Sequence, residues 1–266
     1  MLEDITIGQY IKGDSILHRL DPRTKILGML GIMVALFLVN NWIALAVTAV
    51  IVLAIIAQSK VSIVFYLKGI KPLLFILVFT AVIQLFLTPG EVLWQWKFLH
   101  ITTEGIRMAV FMCTRLVLLV LTTSVLTLTT TPIQLTDAVE ALLTPFKKLG
   151  LPAHELAMIM SIALRFIPTL IDETDKIMKA QQARGASFDE GSIMDRAKSL
   201  LPILVPLFLS AIKRAEELAM AMEARCYHGG EGRTRLHELV YQKRDRVAMV
   251  LTVAIMVLAL LMRGLA

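Results

Sequence analysis

The chain has 266 residues, of which 57% are hydrophobic and 18% are charged, and its mean hydropathy is +0.73. Because roughly a quarter of the residues in a soluble domain are charged, this composition excludes an ordinary water-soluble fold. The formal net charge is +6, but residues 131–246 hold 16 Lys and Arg against 15 Asp and Glu. A nucleic-acid surface would show a basic excess, so we expect a membrane protein that does not bind nucleic acid.

Five apolar runs that are almost free of charge are predicted to cross the bilayer as helices. They are Ile26–Val39, Trp42–Ala57, Leu73–Leu87, Met108–Leu128 and Val247–Met262. A hydrocarbon core about 30 Å thick needs about 20 helical residues, so the shortest runs require local thinning of the bilayer. We predict an all-α membrane protein with about five transmembrane helices and long amphipathic helices between the fourth and the fifth.

The positions of Lys and Arg predict the orientation, because cytoplasmic loops are enriched in both. The stretch 89–105, between the third and fourth spans, has Lys97 as its only interior basic residue. Before the first span and between the second and third, the basic residues are Lys12, Arg19, Arg23, Lys25, Lys60, Lys68 and Lys71. We therefore expect a multi-pass protein of the cell membrane with a cytoplasmic N-terminus and an external C-terminus.

This orientation divides the chain into three regions. Residues 1–130 form an N-terminal membrane region with four transmembrane helices, 131–246 a cytoplasmic helical region, and 247–266 the last transmembrane helix. Thr131, Pro132 and Gln134 have the pattern of a helix start with a capping box. This short helix should continue to about Lys148 and end before Pro152.

Two longer amphipathic helices follow in the cytoplasmic region. Apolar residues recur with a period near 3.6 from Leu156 to Met178, with Pro168 predicted to bend the helix, and again from about Pro206 to Arg225. We also expect a bend at Pro202. A helix of this kind outside the membrane must bury its apolar face against another helix, the lipid surface or a partner protein.

Each long helix ends in a similar tripeptide, Ala183-Arg184-Gly185 in one and Ala224-Arg225-Cys226 in the other. The small residues make slim helix ends that could enter a groove on a partner. Alternatively, each arginine only complements the negative end of its helix dipole, with Gly185 ending the helix. Spacing alone favours this second interpretation.

The sequence does not indicate an enzyme. It has no Gly-rich loop ending in Gly-Lys-Ser/Thr, so any ATP hydrolysis must occur in another chain. His154-Glu155 begins like a helical zinc motif, but Met158 replaces the second histidine. We therefore predict no catalytic residues, metal or cofactor.

A stand-alone secondary transporter is the alternative function. Such proteins carry ionisable residues near the membrane midplane, and Arg115 and Gln84 lie within predicted spans. No acidic partner for Arg115 lies within any span, which favours an arginine that either extends towards the membrane surface or packs against polar atoms.

The chain resembles the transmembrane T component of energy-coupling factor (ECF) vitamin and metal transporters. The resemblance covers nearly the whole length and rests on Ser15-Ile16-Leu17-His18-Arg19-Leu20-Asp21-Pro22-Arg23-Thr24-Lys25, on Leu164-Arg165-Phe166-Ile167-Pro168 and on the two helix-end tripeptides. Cys226 stands where glycine is common in the family.

The resemblance implies a multisubunit ABC-type transporter with this chain as its scaffold. The cytoplasmic helices would be coupling helices whose ends lie in grooves of two ATPase subunits, and a small membrane-embedded S component would bind the vitamin or metal. By residue match, Arg184 and Arg225 would dock into these grooves, with Ala183, Gly185, Ala224 and Cys226 beside them. The substrate stays open, because the S component selects it.

Overall fold

The computed structural model describes residues 10–96, 99–150, 152–186, 188, 194, 199–229 and 239–264. These residues form two compact units, one containing 10–138 and 239–264 and the other 139–229. We call the first the membrane unit and, after the role that the resemblance implies for its helices, the second the coupling unit. Helices dominate both units, which confirms the predicted fold class.

The helices in chain order are α1 (Pro22–Leu38), α2 (Trp42–Ser59), α3 (Ile63–Ile70), α4 (Leu74–Leu87), α5 (Thr103–Thr129), α6 (Pro132–Leu143), α7 (Ala153–Ala183), α8 (Leu201–Ala224) and α9 (Lys243–Gly264). Short 3-10 segments, Lys71–Leu73 and Thr144–Leu149, follow α3 and α6. Between α4 and α5, β1 (Val92–Trp96) pairs antiparallel with β2 (Leu99–Thr102). The sequence analysis missed this hairpin, although aromatic and β-branched residues favour strands.

Among the described residues, five helical segments are long and apolar enough to cross a membrane: α2, α3 to α4, α5, α7 and α9. Four of them contain predicted spans. The remaining predicted span lies in α1, which has 17 residues and is slightly shorter than a span usually requires. Helix α7 was predicted to be cytoplasmic, but it is also long and apolar enough to cross a membrane. Its mean hydropathy of 1.4 is lower than the 2.1 to 2.3 of the other four segments.

The helices of the membrane unit alternate in direction. The start of α1, the end of α2, the end of α5 and the start of α9 all line one cavity, at Lys25, Gln58, Thr129 and Lys243. At its other end α5 begins beside the last turn of α4, because Gly105 lies close to the carbonyl oxygen of Leu85. This alternation agrees with consecutive membrane crossings that include α1.

Buried charges join the start of α1 to the start of α9. Asp245 is 1% exposed, and its carboxylate accepts the backbone N–H of Asp21 at 2.7 Å and of Gln242 at 2.8 Å. Asp21 in turn caps α1 by accepting the N–H of Arg23, whose guanidinium donates to the Asp21 carboxylate and to the carbonyl of Leu239. The motif Ser15 to Lys25 thus has a structural role within the membrane unit.

The residues before α1 are held by local contacts. His18 bonds the Ser15 hydroxyl at 2.7 Å and the carbonyl of Ile11 at 3.0 Å. Arg19 makes two hydrogen bonds to Asp14 on the surface. These bonds, together with the positive charge of Arg19, hold the pKa of the Asp14 carboxyl below its usual range.

Close packing of α1 on α9 depends on small residues. A Cβ added at Gly31 would overlap the Thr252 Cγ2 atom, whereas one added at Gly28 would lie 3.5 Å from Thr252 Oγ1, an ordinary contact. Membrane helices often approach through such glycines, because dispersion contacts replace the hydrophobic effect between them.

Gly31→Ala is therefore expected to destabilise the membrane unit by about 1 to 3 kcal/mol through overpacking, while Gly28→Ala should be tolerated. The measurement is the thermal unfolding midpoint of the purified protein in detergent. Equal midpoints for the two variants would show that α1 and α9 do not pack as closely as described.

Candidate functional site

Along the chain, α6 leads into the coupling unit, and this helix begins as predicted. The N–H of Gln134 donates to Thr131 Oγ1 at 3.3 Å, and the N–H of Thr131 donates to Gln134 Oε1 at 3.2 Å. This reciprocal pair is a capping box. The 3-10 segment after α6 ends at Gly150, whose φ of +82° suits glycine.

The two long helices are close to the prediction, and both contain proline. Pro168 lies inside α7, and Pro206 lies inside α8. Helix α8 begins about five residues earlier than expected, at Leu201. Pro202 therefore lies in its first turn, where the missing N–H costs little, and the bend predicted there is instead a helix start.

Helices α7 and α8 pack as an antiparallel pair. Near the end of α7, the Gln181 side chain donates to the carbonyl of Pro202 in the first turn of α8. Further back along α7, Glu173 contacts Ser210 and Arg214. The contact continues around a cavity of about 270 Å³ that is lined by Ile162, Phe166, Leu170, Ala211, Arg214, Ala215, Leu218, Ala219 and Met222.

Glu173 is the polar link within this apolar interface. It accepts a short hydrogen bond from the Ser210 hydroxyl and one from Arg214 Nη2 at 2.9 Å. Its side chain is 23% exposed and that of Arg214 is 36% exposed. Since charge-assisted hydrogen bonds have defined geometry, this cluster sets the register of α7 against α8.

Both helices end in the same backbone motif. The N–H groups of Gly185 and Ala186 donate to the carbonyls of Gln182 and Gln181 at the end of α7. The equivalent donors after α8 are Cys226 and Tyr227, and the acceptors are Glu223 and Met222. These are Schellman motifs, which satisfy the last carbonyl groups by backbone hydrogen bonds.

Arg184 and Arg225 are the C-cap residues of these motifs, and both are exposed. Neither guanidinium has a hydrogen-bond or ion-pair partner among the described residues. Ala183 and Ala224 precede them and are also exposed. The structure thus places each arginine on a slim helix end, where its donors are available to another molecule.

The antiparallel pairing puts the two arginines at opposite ends of the helix pair. Met222, just before Arg225, lines the same cavity as Ile162, which lies more than twenty residues before Arg184 in α7. At a rise of 1.5 Å per residue, this separates the two helix ends by about 33 Å. The sequence did not reveal this separation, because it depends on how the two helices pair.

The residues after the arginines differ in backbone strain. Gly185 has φ +90° and Cys226 has φ +56°, both in the left-handed region. A side chain in that region costs roughly 1 kcal/mol or more relative to glycine. The structure therefore explains why glycine suits this position and why cysteine is tolerated at a modest cost.

Cys226→Gly is expected to stabilise the end of α8 by about 0.5 to 1 kcal/mol, and Gly185→Ala should destabilise the end of α7 by a similar amount. Thermal unfolding midpoints of the two variants would measure both effects. A lower midpoint for Cys226→Gly would contradict the left-handed assignment.

Two other residues singled out in the sequence have structural roles. His154 Nδ1 lies 3.0 Å from Glu140 Oε1 and joins α7 to α6 within the coupling unit. In the membrane unit, Arg115 donates to the carbonyl of Val39 and stacks over the Phe111 ring, 4.8 Å from its centroid. Arg115 thus packs against polar and aromatic groups, as expected.

The fold defines the class of protein: a multi-pass helical membrane protein with an additional unit built on a pair of long amphipathic helices. A family model described as "CbiQ: Cobalt transport protein" matches residues 13–236. The chain belongs to this family.

Several relatives are named energy-coupling factor transporter transmembrane protein EcfT. The protein from Acidaminococcus fermentans is 56% identical over 263 residues, which cover 99% of this chain and 98% of the relative. The Clostridium kluyveri protein is 54% identical over 265 residues, with 99% and 98% covered, and the Bacillus subtilis protein is 46% identical over 265 residues, with 99% and 100% covered. The resemblance to the ECF T component is confirmed, and the chain is a transmembrane component of the transporter class to which these relatives belong.

Proposed function

We propose that this chain is the scaffold of an ECF-type transporter and transmits ATP-driven movement of two ATPase subunits to a substrate-binding S component. The observation that carries the proposal is the pair of exposed arginines at opposite ends of the α7–α8 pair. A separation of about 33 Å lets each helix end engage a different subunit. Movement of either subunit would then act on the whole helix pair.

The chemistry of each helix end suits a groove with carbonyl or carboxylate acceptors. A guanidinium presents five donors in a planar fork, which a lysine cannot replace. The Schellman motifs already satisfy two carbonyls at each helix end through backbone N–H groups, so the arginine side chains are not needed to cap those groups. We therefore favour docking over the helix-dipole interpretation, with Ala183, Gly185, Ala224 and Cys226 in contact with the groove walls.

Exposed apolar residues on the coupling unit suit the S component, a membrane-embedded partner. Ile159, Phe208 and Met220 are about 60% exposed or more, whereas Met222 lines the internal cavity. Methionine side chains adapt to varied partners, which fits a scaffold that accepts more than one S component. Through this partner the complex would import a vitamin or a metal ion.

We also propose that the N-terminus and residues 131–246 are cytoplasmic and that the C-terminus is external. Single introduced cysteines provide the test, with a membrane-impermeant thiol reagent applied to intact cells after Cys113 and Cys226 are replaced. Labelling of an exposed loop position such as Glu91, but not of Arg184 or Ser62, is expected. Labelling of position 184 from outside would overturn the orientation.

The functional test is co-purification of the chain from its native membranes, followed by uptake measurements in liposomes. We expect two ATPase subunits and a small membrane subunit to co-purify with the chain. We also expect uptake into liposomes that contain this whole complex to require ATP on the side of the ATPase subunits. Substrate flux through the purified chain alone, without ATP, would instead support the stand-alone secondary transporter.

A further inference from the structure

The membrane unit contains a cavity of about 720 Å³ that plays no part in the proposed coupling. Its walls come from α1, α2, α5 and α9 and from the segment before α1. This volume lies within the range of about 300 to 1,000 Å³ that is typical of ligand sites.

The cavity is lined mainly by apolar residues, and its charged residues lie at one end. Each of the four helices contributes a polar or basic residue at the same end, namely Lys25, Gln58, Thr129 and Lys243. Further along the helices the lining is mostly apolar, with Ile32 of α1, Ile51 of α2 and Ile255 of α9. The hydroxyls of Thr122 and Thr252 also lie there, but both donate to carbonyls of their own helices. Along α9 the distance from Lys243 to Ile255 is about 18 Å. The cavity therefore extends from its charged end over slightly more than half of a hydrocarbon core about 30 Å thick.

The polar end of the cavity is positively charged. Lys243 and Arg244 are exposed there, and neither has a carboxylate partner among the described residues. Asp21 and Asp245 lie nearby in sequence, but neither lines the cavity, and both accept backbone N–H groups elsewhere. Both carboxylates lie close enough to interact with the charge of Lys25. Arg23 and Lys25 match these two acidic residues in number, so Lys243 and Arg244 give this end an excess of positive charge.

Lys25 adds a buried charge to the same end. Lys25 is only 8% exposed, and its ammonium group donates hydrogen bonds to the carbonyls of Thr129 at 2.9 Å and His18 at 3.4 Å. The carboxylates of Asp21 and Asp245 act on this ammonium electrostatically, while its hydrogen bonds go to carbonyl groups, so an anion in the cavity would add to the stabilisation of the buried charge.

We propose that this cavity binds an anionic glycerophospholipid, with the phosphate headgroup near Lys243 and Arg244 and an acyl chain against Ile32, Ile51 and Ile255. A headgroup with a negative charge complements the basic end, and an acyl chain complements the apolar walls. Basic pockets between transmembrane helices bind anionic lipid headgroups in this way. The bound lipid would hold α9 against α1, α2 and α5, at the point where the chain returns to the membrane.

The test uses the full chain reconstituted with equal amounts of phosphatidylglycerol and phosphatidylcholine that carry the same acyl chains. After extraction in mild detergent, native mass spectrometry measures which lipid stays bound. We expect phosphatidylglycerol to be retained preferentially, and the preference to fall by about an order of magnitude in the Lys243→Gln, Arg244→Gln variant. Arg263→Gln, at the other end of α9, is the matched control and should keep the preference.

A photo-crosslinking amino acid at Leu251, an exposed position in the cavity wall, provides a second measurement on a chain with both basic residues intact. An adduct with the mass of phosphatidylglycerol supports the proposal. Equal retention of the two lipids, an unchanged preference in the double variant, or adducts only with another protein subunit would each overturn it.

Discussion

Glutamate at both Arg184 and Arg225 is expected to abolish ATP-driven uptake and to release the ATPase subunits. Both side chains are exposed at helix ends and have no partner among the described residues, so no internal contact within that part of the chain would account for the loss. If each guanidinium enters a groove, the groove presents hydrogen-bond acceptors to it. A carboxylate in the same place is also an acceptor and finds no donor, which costs several kcal/mol where the site is desolvated. Each single variant should show a smaller loss than the pair.

The helix-dipole interpretation predicts a much smaller effect. A charge at a helix end contributes about 0.3 to 1 kcal/mol, and its loss should leave the complex intact. The control pair is Lys148→Glu with Lys213→Glu, which makes the same number of charge changes at exposed positions of the coupling unit. Subunit co-purification and uptake should be measured for both pairs. Normal assembly and uptake in the double arginine variant would eliminate docking.

Asp245→Ala is expected to give the largest loss of stability in the membrane unit. This carboxylate is 1% exposed and accepts two backbone N–H groups, from Asp21 and Gln242. Alanine leaves both donors without an acceptor, and hydrogen bonds to charged groups contribute about 1.5 to 3 kcal/mol each. We expect a loss of about 3 to 5 kcal/mol and a low yield of folded protein.

Asp245→Asn keeps the size of the side chain but removes its negative charge. It keeps one oxygen acceptor but turns an NH2 group towards one of the two donors, so roughly half of the loss should remain. Arg246→Ala, an exposed neighbour on α9, should unfold at the wild-type temperature. Size-exclusion yield and the thermal midpoint in detergent report the outcome. A wild-type midpoint for Asp245→Ala would show that these hydrogen bonds do not stabilise the fold.

Local patterns in the sequence were enough for much of the secondary structure. The apolar runs located the helices that contain the spans, and Thr131 to Gln134 predicted the start of α6, because a capping box involves only residues three positions apart. Gly185 likewise marked the end of α7, since a left-handed C-terminus favours glycine. The same hydropathy pattern did not separate α7 from the spans, because a helix with one broad apolar face can match a span in average composition.

The tertiary structure decided which distant residues meet. No sequence pattern singled out Asp245, yet it bonds the N–H of Asp21, 224 positions away. The sequence placed an arginine at the end of each long helix, but only the antiparallel pairing of α7 and α8 puts Arg184 and Arg225 at opposite ends. Capping and periodicity are set by neighbours along the chain, whereas these contacts depend on how whole helices pack, and helix packing is chosen by many weak contacts together.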